Sequence, residues 1–248
     1  MTLPARPAPR PARPRNLAFL AMLAALALLL AACATTAPAP AAWQAPPGLD
    51  PVSTSHWETD MARFAAEDAR NPPPGQPVVF AGSSSFRMWE SLARDFPDVP
   101  VLNRGFGGSQ VRDLIWHAEA VAIRYRPRTV LLYAGENDID AGRSPGQVLA
   151  DTQVLVSRLR AALPRASIAW VSIKPSPLRS DQMPAQREAN ALVEAWLRTV
   201  PGTAYIDVAT PMLDASGQPR GELFVDDRLH MNAAGYAIWR EALAPALR

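Results

Sequence analysis

From about Ser55 to the C-terminus the chain alternates between short, continuously apolar runs and longer stretches whose apolar residues recur with helical period. The short runs are Pro77–Ala81, Val99–Asn103, Thr129–Ala134, Ser167–Ile173 and Ala204–Val208, each bounded by Gly, Pro or polar residues. Helical periodicity marks Ser55–Asn71, Phe86–Asp95, Ser109–Arg126, Pro145–Leu163, Pro184–Thr199 and Ala233–Leu247, with Asn232 placed to cap the last. Strands that are apolar on both faces and alternate with helices predict a parallel sheet covered on two sides. Ligands of such sheets lie outside the carboxyl ends of the strands, so the loops after the strands are where chemistry is expected.

Before Ser55 the pattern is different. Residues 1–32 carry Arg6, Arg10, Arg13 and Arg15, no acid, and an apolar run at Leu17–Ala32. That run is shorter than the ~20 residues of a spanning helix and reads as the core of a signal peptide. Cys33, the single cysteine of the chain, follows it at once. Leu30-Ala31-Ala32-Cys33 resembles the lipobox of bacterial lipoproteins, which implies lipidation of Cys33 and a mature chain that starts there. The Ala/Pro-rich stretch that follows is poor in core formers and reads as a tether. The expected organisation is thus a signal peptide at 1–32, a tether at 33–54 and a folded domain at 55–248. The expected location is the cell envelope, lipid-anchored to a bacterial membrane and facing the periplasm.

Composition narrows the function classes. The formal charge of +2 belongs to the leader; the rest of the chain holds 21 basic residues against 23 acidic. No basic stripe remains for nucleic acid. One cysteine allows neither an internal disulfide nor a cysteine metal cluster. His56 and His117 lie in helical patterns without a metal-binding spacing, so no metal is expected. Lys174 is the only lysine, against 24 arginines, a bias that by itself suggests no function.

Four loops carry candidate chemistry. After the first strand comes Gly82-Ser83-Ser84-Ser85, where a serine at a strand-to-helix turn can project its hydroxyl from the sheet, although no G-x-S-x-G elbow is present. Asn103-Arg104-Gly105-Phe106-Gly107-Gly108-Ser109 follows the second, and its glycines permit close backbone approach to a ligand; the plainer reading is a tight turn before a helix capped by Ser109. Gly135-Glu136-Asn137-Asp138 follows the third, where the Asn137 amide can donate to an oxyanion or simply make an Asx-turn. The last is Asp226-Asp227-Arg228-Leu229-His230, in which Asp227 can fix the tautomer that leaves Nε2 of His230 free as a base, with Asp226 as competitor.

In order and position these four blocks resemble those of the SGNH (GDSL-like) hydrolases over roughly Val78–Leu247. The resemblance implies a flavodoxin-like three-layer α/β/α sandwich with a five-stranded parallel sheet, and neither metal nor cofactor. It implies Ser84 as nucleophile, with Asp227 and His230 completing the triad. The backbone N–H groups of Ser84 and Gly108 and the side chain of Asn137 would form the oxyanion hole. The implied substrate is an ester: a small molecule, a glycan or a lipid. Two alternatives use the same scaffold, an envelope polysaccharide deacetylase or acyltransferase and a non-catalytic envelope-binding lipoprotein. Ser83 stands where the family has Asp. Glu136 replaces a glycine and puts a charge near the mouth, where it either influences substrate choice or, on the plainer reading, is simply solvated. Arg87 and Trp89 follow the Ser84 block closely enough to line a pocket; the plainer expectations are helix surface and core respectively.

Overall fold

The computed structural model describes residues 43–49 and 54–247, with side chains described from Trp57 onward in the second segment. The chain divides into Met1–Gln44 and Ala45–Arg248. Cys33 and the signal-like segment 1–32 lie outside the described residues.

The larger unit is a five-stranded parallel sheet with helices on its two faces. In chain order the elements are α1 (Thr54–Arg70), β1 (Val78–Gly82), α2 (Ser84–Arg87), α3 (Leu92–Asp95), β2 (Val101–Gly105), α4 (Val111–Trp116) and α5 (Ala118–Val121). Then follow β3 (Thr129–Tyr133), α6 (Glu136–Asp140), α7 (Pro145–Ala162), β4 (Ser167–Val171), α8 (Met183–Leu197), β5 (Thr203–Ile206) and α9 (Ala233–Leu243). The strand order is β2-β1-β3-β4-β5, and all pairings are parallel.

Register explains the layers. Phe80 pairs with Leu131 and Leu131 with Ala169, so one row of side chains crosses three strands on a single face. With Val78, Tyr133 and Val171 that face packs against Trp239 and Leu243 of α9. The alternating residues Val79, Ala81, Val130, Leu132, Ile168 and Trp170 are equally buried, as a sheet covered on both sides requires. On that second side α4, α7 and α8 pack side by side, with α4 reaching β1.

Local chemistry sets the helix boundaries. Ser144 and Gln147 cap α7 reciprocally, Gln147 N–H to Ser144 Oγ at 3.2 Å and Ser144 N–H to Gln147 Oε1 at 2.8 Å, with Pro145 as first residue. Asn232 caps α9 as its sequence suggests, accepting from Ala234 N–H at 2.9 Å.

Other expectations need correction. The helix read over Phe86–Asp95 is two short ones, α2 and α3. Trp89 Nε1–H donates to Asp95 at 2.6 Å in the intervening turn. The stretch Ser109–Arg126 breaks into α4, α5 and a 3₁₀ turn at Ile123–Tyr125, ending at Arg126 in the left-handed region (φ 46°) before Pro127. The cap of α4 is Gln110 rather than Ser109: Gln110 N–H donates to Asp113 at 2.8 Å, while Ser109 is fully buried. The first apolar run starts at Val78 because Pro77 cannot donate to the ladder, and β2 begins two residues later than its run for the same reason at Pro100.

Candidate active site

The chain runs β1, then β2 on one side of it, then β3 on the other, so the sheet's switch point lies between β1 and β3. The loops after those two strands diverge there and leave a crevice. Ser84 opens α2 on one side of it, and Asn137 sits in the first turn of α6 on the other.

The turn that carries Ser84 is tight because Gly82 permits it. A Cβ at Gly82 would lie 2.3 Å from the Tyr133 carbonyl, which instead accepts the Ser83 N–H at 3.0 Å. The Ser83 side chain, in the family's Asp position, is buried. Tyr236 of α9 clamps the residue after Ser84, its hydroxyl donating to the Ser85 carbonyl at 2.9 Å.

The last block arrives by a narrow antiparallel bridge between Phe224 and Met231. Inside it Val225 N–H donates to His230 O at 2.9 Å, and Arg228 takes a positive φ of 59°. Asp227 Oδ1 accepts the N–H groups of Leu229 and His230, both at 2.8 Å. Its Oδ2 lies 2.6 Å from His230 Nδ1, and His230 Nε2 lies 2.9 Å from Ser84 Oγ. Partial burial pushes the Asp227 carboxyl up, but the His230 and Leu229 N–H groups and the His230 ring outweigh it and hold it at about 2. Asp226 is exposed and belongs to no such chain of contacts.

The second and third blocks meet opposite Ser84. Gly108 has φ 82°, a conformation that a side-chain-bearing residue adopts only with strain, and its position lies against Trp57. Asn137 Nδ2 donates to Ser109 O at 3.0 Å, which leaves its second N–H toward the crevice. Among the described residues no acceptor takes the Ser84 or Gly108 N–H. Asp138 ties the two blocks together: buried, it accepts from Val111 N–H at 3.1 Å and Gly135 N–H at 3.0 Å.

A cleft of about 570 Å³ opens above these groups, lined by Ser84, Gly108, Asn137 and His230 together with Arg87 and Arg179. Arg87 is exposed on α2, as expected, and its guanidinium also lies along Gly107 at the cleft wall. Trp89 is core, as expected. His117 is partly buried at the junction of α4 and α5, its ring 6.1 Å from Phe106, and burial lowers its pKa. His56 lies within α1. Among the described residues no cluster of His, Cys, Asp or Glu is placed to hold a metal ion.

Glu136 is not a solvated charge at the mouth. It is buried, with Lys174 Nζ at 3.0 and 3.1 Å from its two oxygens and the Tyr133 hydroxyl donating to it at 2.6 Å. A charge this far from water persists only with partners, and here the lone lysine supplies one. Sequence reasoning missed Lys174, Arg179 and Tyr133; the only signal was one lysine among arginines.

Comparison with known proteins bears on the family and the fold. Residues 74–238 match the model of the GDSL-like lipase/acylhydrolase family. The chain belongs to that family. None of the curated proteins matches it. A Streptococcus pneumonia protein named after platelet activating factor is similar in structure, with TM-score 0.69 and 19% identity over 78% of this chain and 94% of its own. A GDSL-like lipase from Bacteroides thetaiotaomicron gives TM-score 0.65 at 19% identity, covering 75% of this chain and 96% of that one. An acetylxylan esterase from Geobacillus stearothermophilus gives 0.57 at 16% identity, covering 71% and 96%. At these identities the likeness speaks to the fold, which is the flavodoxin-like sandwich expected from the sequence.

Proposed function

We propose that this GDSL-family hydrolase cleaves carboxylic esters through a Ser84 acyl-enzyme, at the surface of a bacterial membrane to which Cys33 anchors it. The observation that carries the catalytic part is the unbroken line from Asp227 Oδ2 through His230 to Ser84 Oγ, with contacts of 2.6 and 2.9 Å, ending in an open cleft.

His230 Nε2 takes the hydroxyl proton as Ser84 Oγ attacks the ester carbonyl. The Asp227 carboxylate, kept ionised by its three N–H partners, stabilises the imidazolium and holds Nε2 toward Ser84. Negative charge on the former carbonyl oxygen meets the N–H groups of Ser84 and Gly108 and the free N–H of Asn137. His230 passes its proton to the leaving alkoxide, which departs as the alcohol. Water, deprotonated by His230, then attacks the acyl carbon and releases the acid and Ser84. No step draws on a metal or cofactor.

A second reading, deacetylation of an envelope polysaccharide, is favoured by the similarity to an acetylxylan esterase and by the polar rim of Thr59, Asp60, Arg87 and Arg179. A series of p-nitrophenyl esters of rising chain length separates the two: preference for acetyl supports the second, preference for longer chains the first. A serine-directed fluorophosphonate should label the native protein but not Ser84→Ala. Absence of labelling in both would leave a binding protein on a hydrolase scaffold. For the anchor, intact mass of the protein purified from a bacterial membrane should show acyl chains on an N-terminal Cys33. Two or more chains hold a protein firmly, where one binds only marginally. An unmodified Cys33 thiol, or a mature start well beyond it, would remove the anchor.

A further inference from the structure

We propose that Arg179, held by Asp140 and Glu136, positions and polarises Asn137 as the side-chain donor of the oxyanion hole; the inference rests on the esterase reading above. Asn137 has one acceptor and two donors on its amide. The oxygen accepts a charge-assisted bond from Arg179 Nη1 at 3.1 Å, and one N–H is spent on Ser109 O at 3.0 Å. Only the remaining N–H faces the cleft. A flipped amide would set its NH₂ against a guanidinium that can only donate, so Arg179 selects the orientation that oxyanion binding needs. A cation on the amide oxygen also draws density from the nitrogen and makes the free N–H a stronger donor.

Arg179 is itself fixed. Its Nη2 donates to Asp140 Oδ2 at 2.8 Å, Asp140 Oδ1 accepts from Gln182 at 2.8 Å, and Glu136 Oε1 lies 3.5 Å from Nη1. Glu136 is in turn clamped by Lys174 and Tyr133. The segment Lys174–Arg179 also touches the other half of the site, since Leu178 N–H donates to Arg228 O at 3.0 Å in the His230 loop.

A buried ion pair is a poor source of stability, because desolvation offsets its attraction and an apolar pair would serve as well. Its presence here needs a different reason. All 24 other basic residues of the chain are arginine, yet the residue fully buried against Glu136 is a lysine. A planar five-donor fork would leave donors unsatisfied where one ammonium meets one carboxylate. The lysine is therefore matched to holding Glu136, and Glu136 to holding Arg179.

A double-mutant cycle on p-nitrophenyl acetate tests the relay. Arg179→Met should lower kcat about 10- to 100-fold, the loss of one hydrogen bond from a charged donor, with KM little changed. In an Asn137→Ala background the same change should have almost no further effect, and Arg179→Lys should recover part of kcat. Arg179→Gln repeats the cycle should the Met variant unfold, with far-UV circular dichroism as the control. Equal losses in both backgrounds, or a change confined to KM, would overturn the inference while leaving the esterase reading in place. Wild-type protein that neither turns over ester nor takes the fluorophosphonate would overturn both.

Discussion

Behind Ser84 the protein is built of rings. Phe80, Phe86, Trp89, Tyr236 and Trp239 meet at centroid distances of 5.1 to 6.5 Å, mostly edge to face. Across the same cleft, behind Asn137, it is built of charges: Glu136, Lys174, Arg179 and Asp138, three of them buried. Tyr133 belongs to both regions, its ring 4.8 Å from Trp239 and its hydroxyl on Glu136. In the proposed mechanism the two sides have different tasks. A nucleophile turn must be stiff and in place, and close packing supplies that without choosing any charge. An oxyanion site must present oriented dipoles before the negative charge appears, and only fixed polar groups in a dry setting can do so. Packing fails gradually as atoms are removed; an ionic wall fails when one partner goes and the other stays buried.

The largest expected effect falls on the chemistry of the first side. Ser84→Ala and His230→Ala should each lower ester turnover by about 10⁴-fold or more, because triad members act as a unit. Melting should be nearly unchanged, since neither side chain is buried core. Ser83→Ala should remain active; an inactive Ser83→Ala beside an active Ser84→Ala would mean that the nucleophile has been misassigned.

Next come the supports. Trp239→Ala should cost about 3–5 kcal/mol in urea unfolding through the cavity it leaves. Lys174→Met should cost a similar ~3–5 kcal/mol by taking from buried Glu136 its nearest cation. The contrast lies in rescue. Adding Glu136→Gln to Lys174→Met should restore most of the stability, though not the activity, whereas no single second change restores Trp239→Ala. A Lys174→Met protein as stable as wild type would erase the distinction between the two walls.

Asn137→Ala tests the chemistry of the second side. It should lower kcat roughly 10²–10³-fold with KM little changed, the usual loss of one oxyanion donor. Unchanged kcat would reduce Asn137 to a turn residue.

How much of this the sequence discloses differs between the two sides. Ser84, Gly108, Asn137, Asp227 and His230 sit in contiguous blocks at strand ends, so resemblance to a family's blocks finds them, while periodicity finds the sheet. The ring wall is partly legible, because Phe80 and Trp89 fall at apolar positions of short elements. The ionic wall is not. Glu136 and Lys174 are 38 residues apart and meet only because β3 and β4 are neighbours. A glutamate beside a strand end looks solvated until its partner is known. The helix break at Met88–Ser91 is hidden for a related reason: a side-chain bond such as Trp89 to Asp95 closes a turn where propensity alone would continue a helix.

The smallest expected effect distinguishes the walls by pH. Burial pushes the Asp138 carboxyl up to about 7 against the Val111 N–H, Arg143 and the Gly135 N–H, while in the unfolded chain it returns to about 3.8. Because the folded value is the higher one, the folded state binds the proton more readily between those limits. This group's contribution to stability therefore rises as pH falls through 7 and levels off below about 4. Asp138→Asn removes the titration. The stability of wild type relative to that variant should grow by about 2 kcal/mol between pH 7 and pH 5, read as a difference in urea midpoints. On the ring wall nothing titrates in this range, so wild type relative to Trp239→Phe should give a flat line over the same interval. A flat line for Asp138→Asn as well would mean that the N–H donors hold Asp138 ionised despite its burial. Asp138 would then remain a carboxylate throughout that interval, and its contribution to the charged wall would not change with pH.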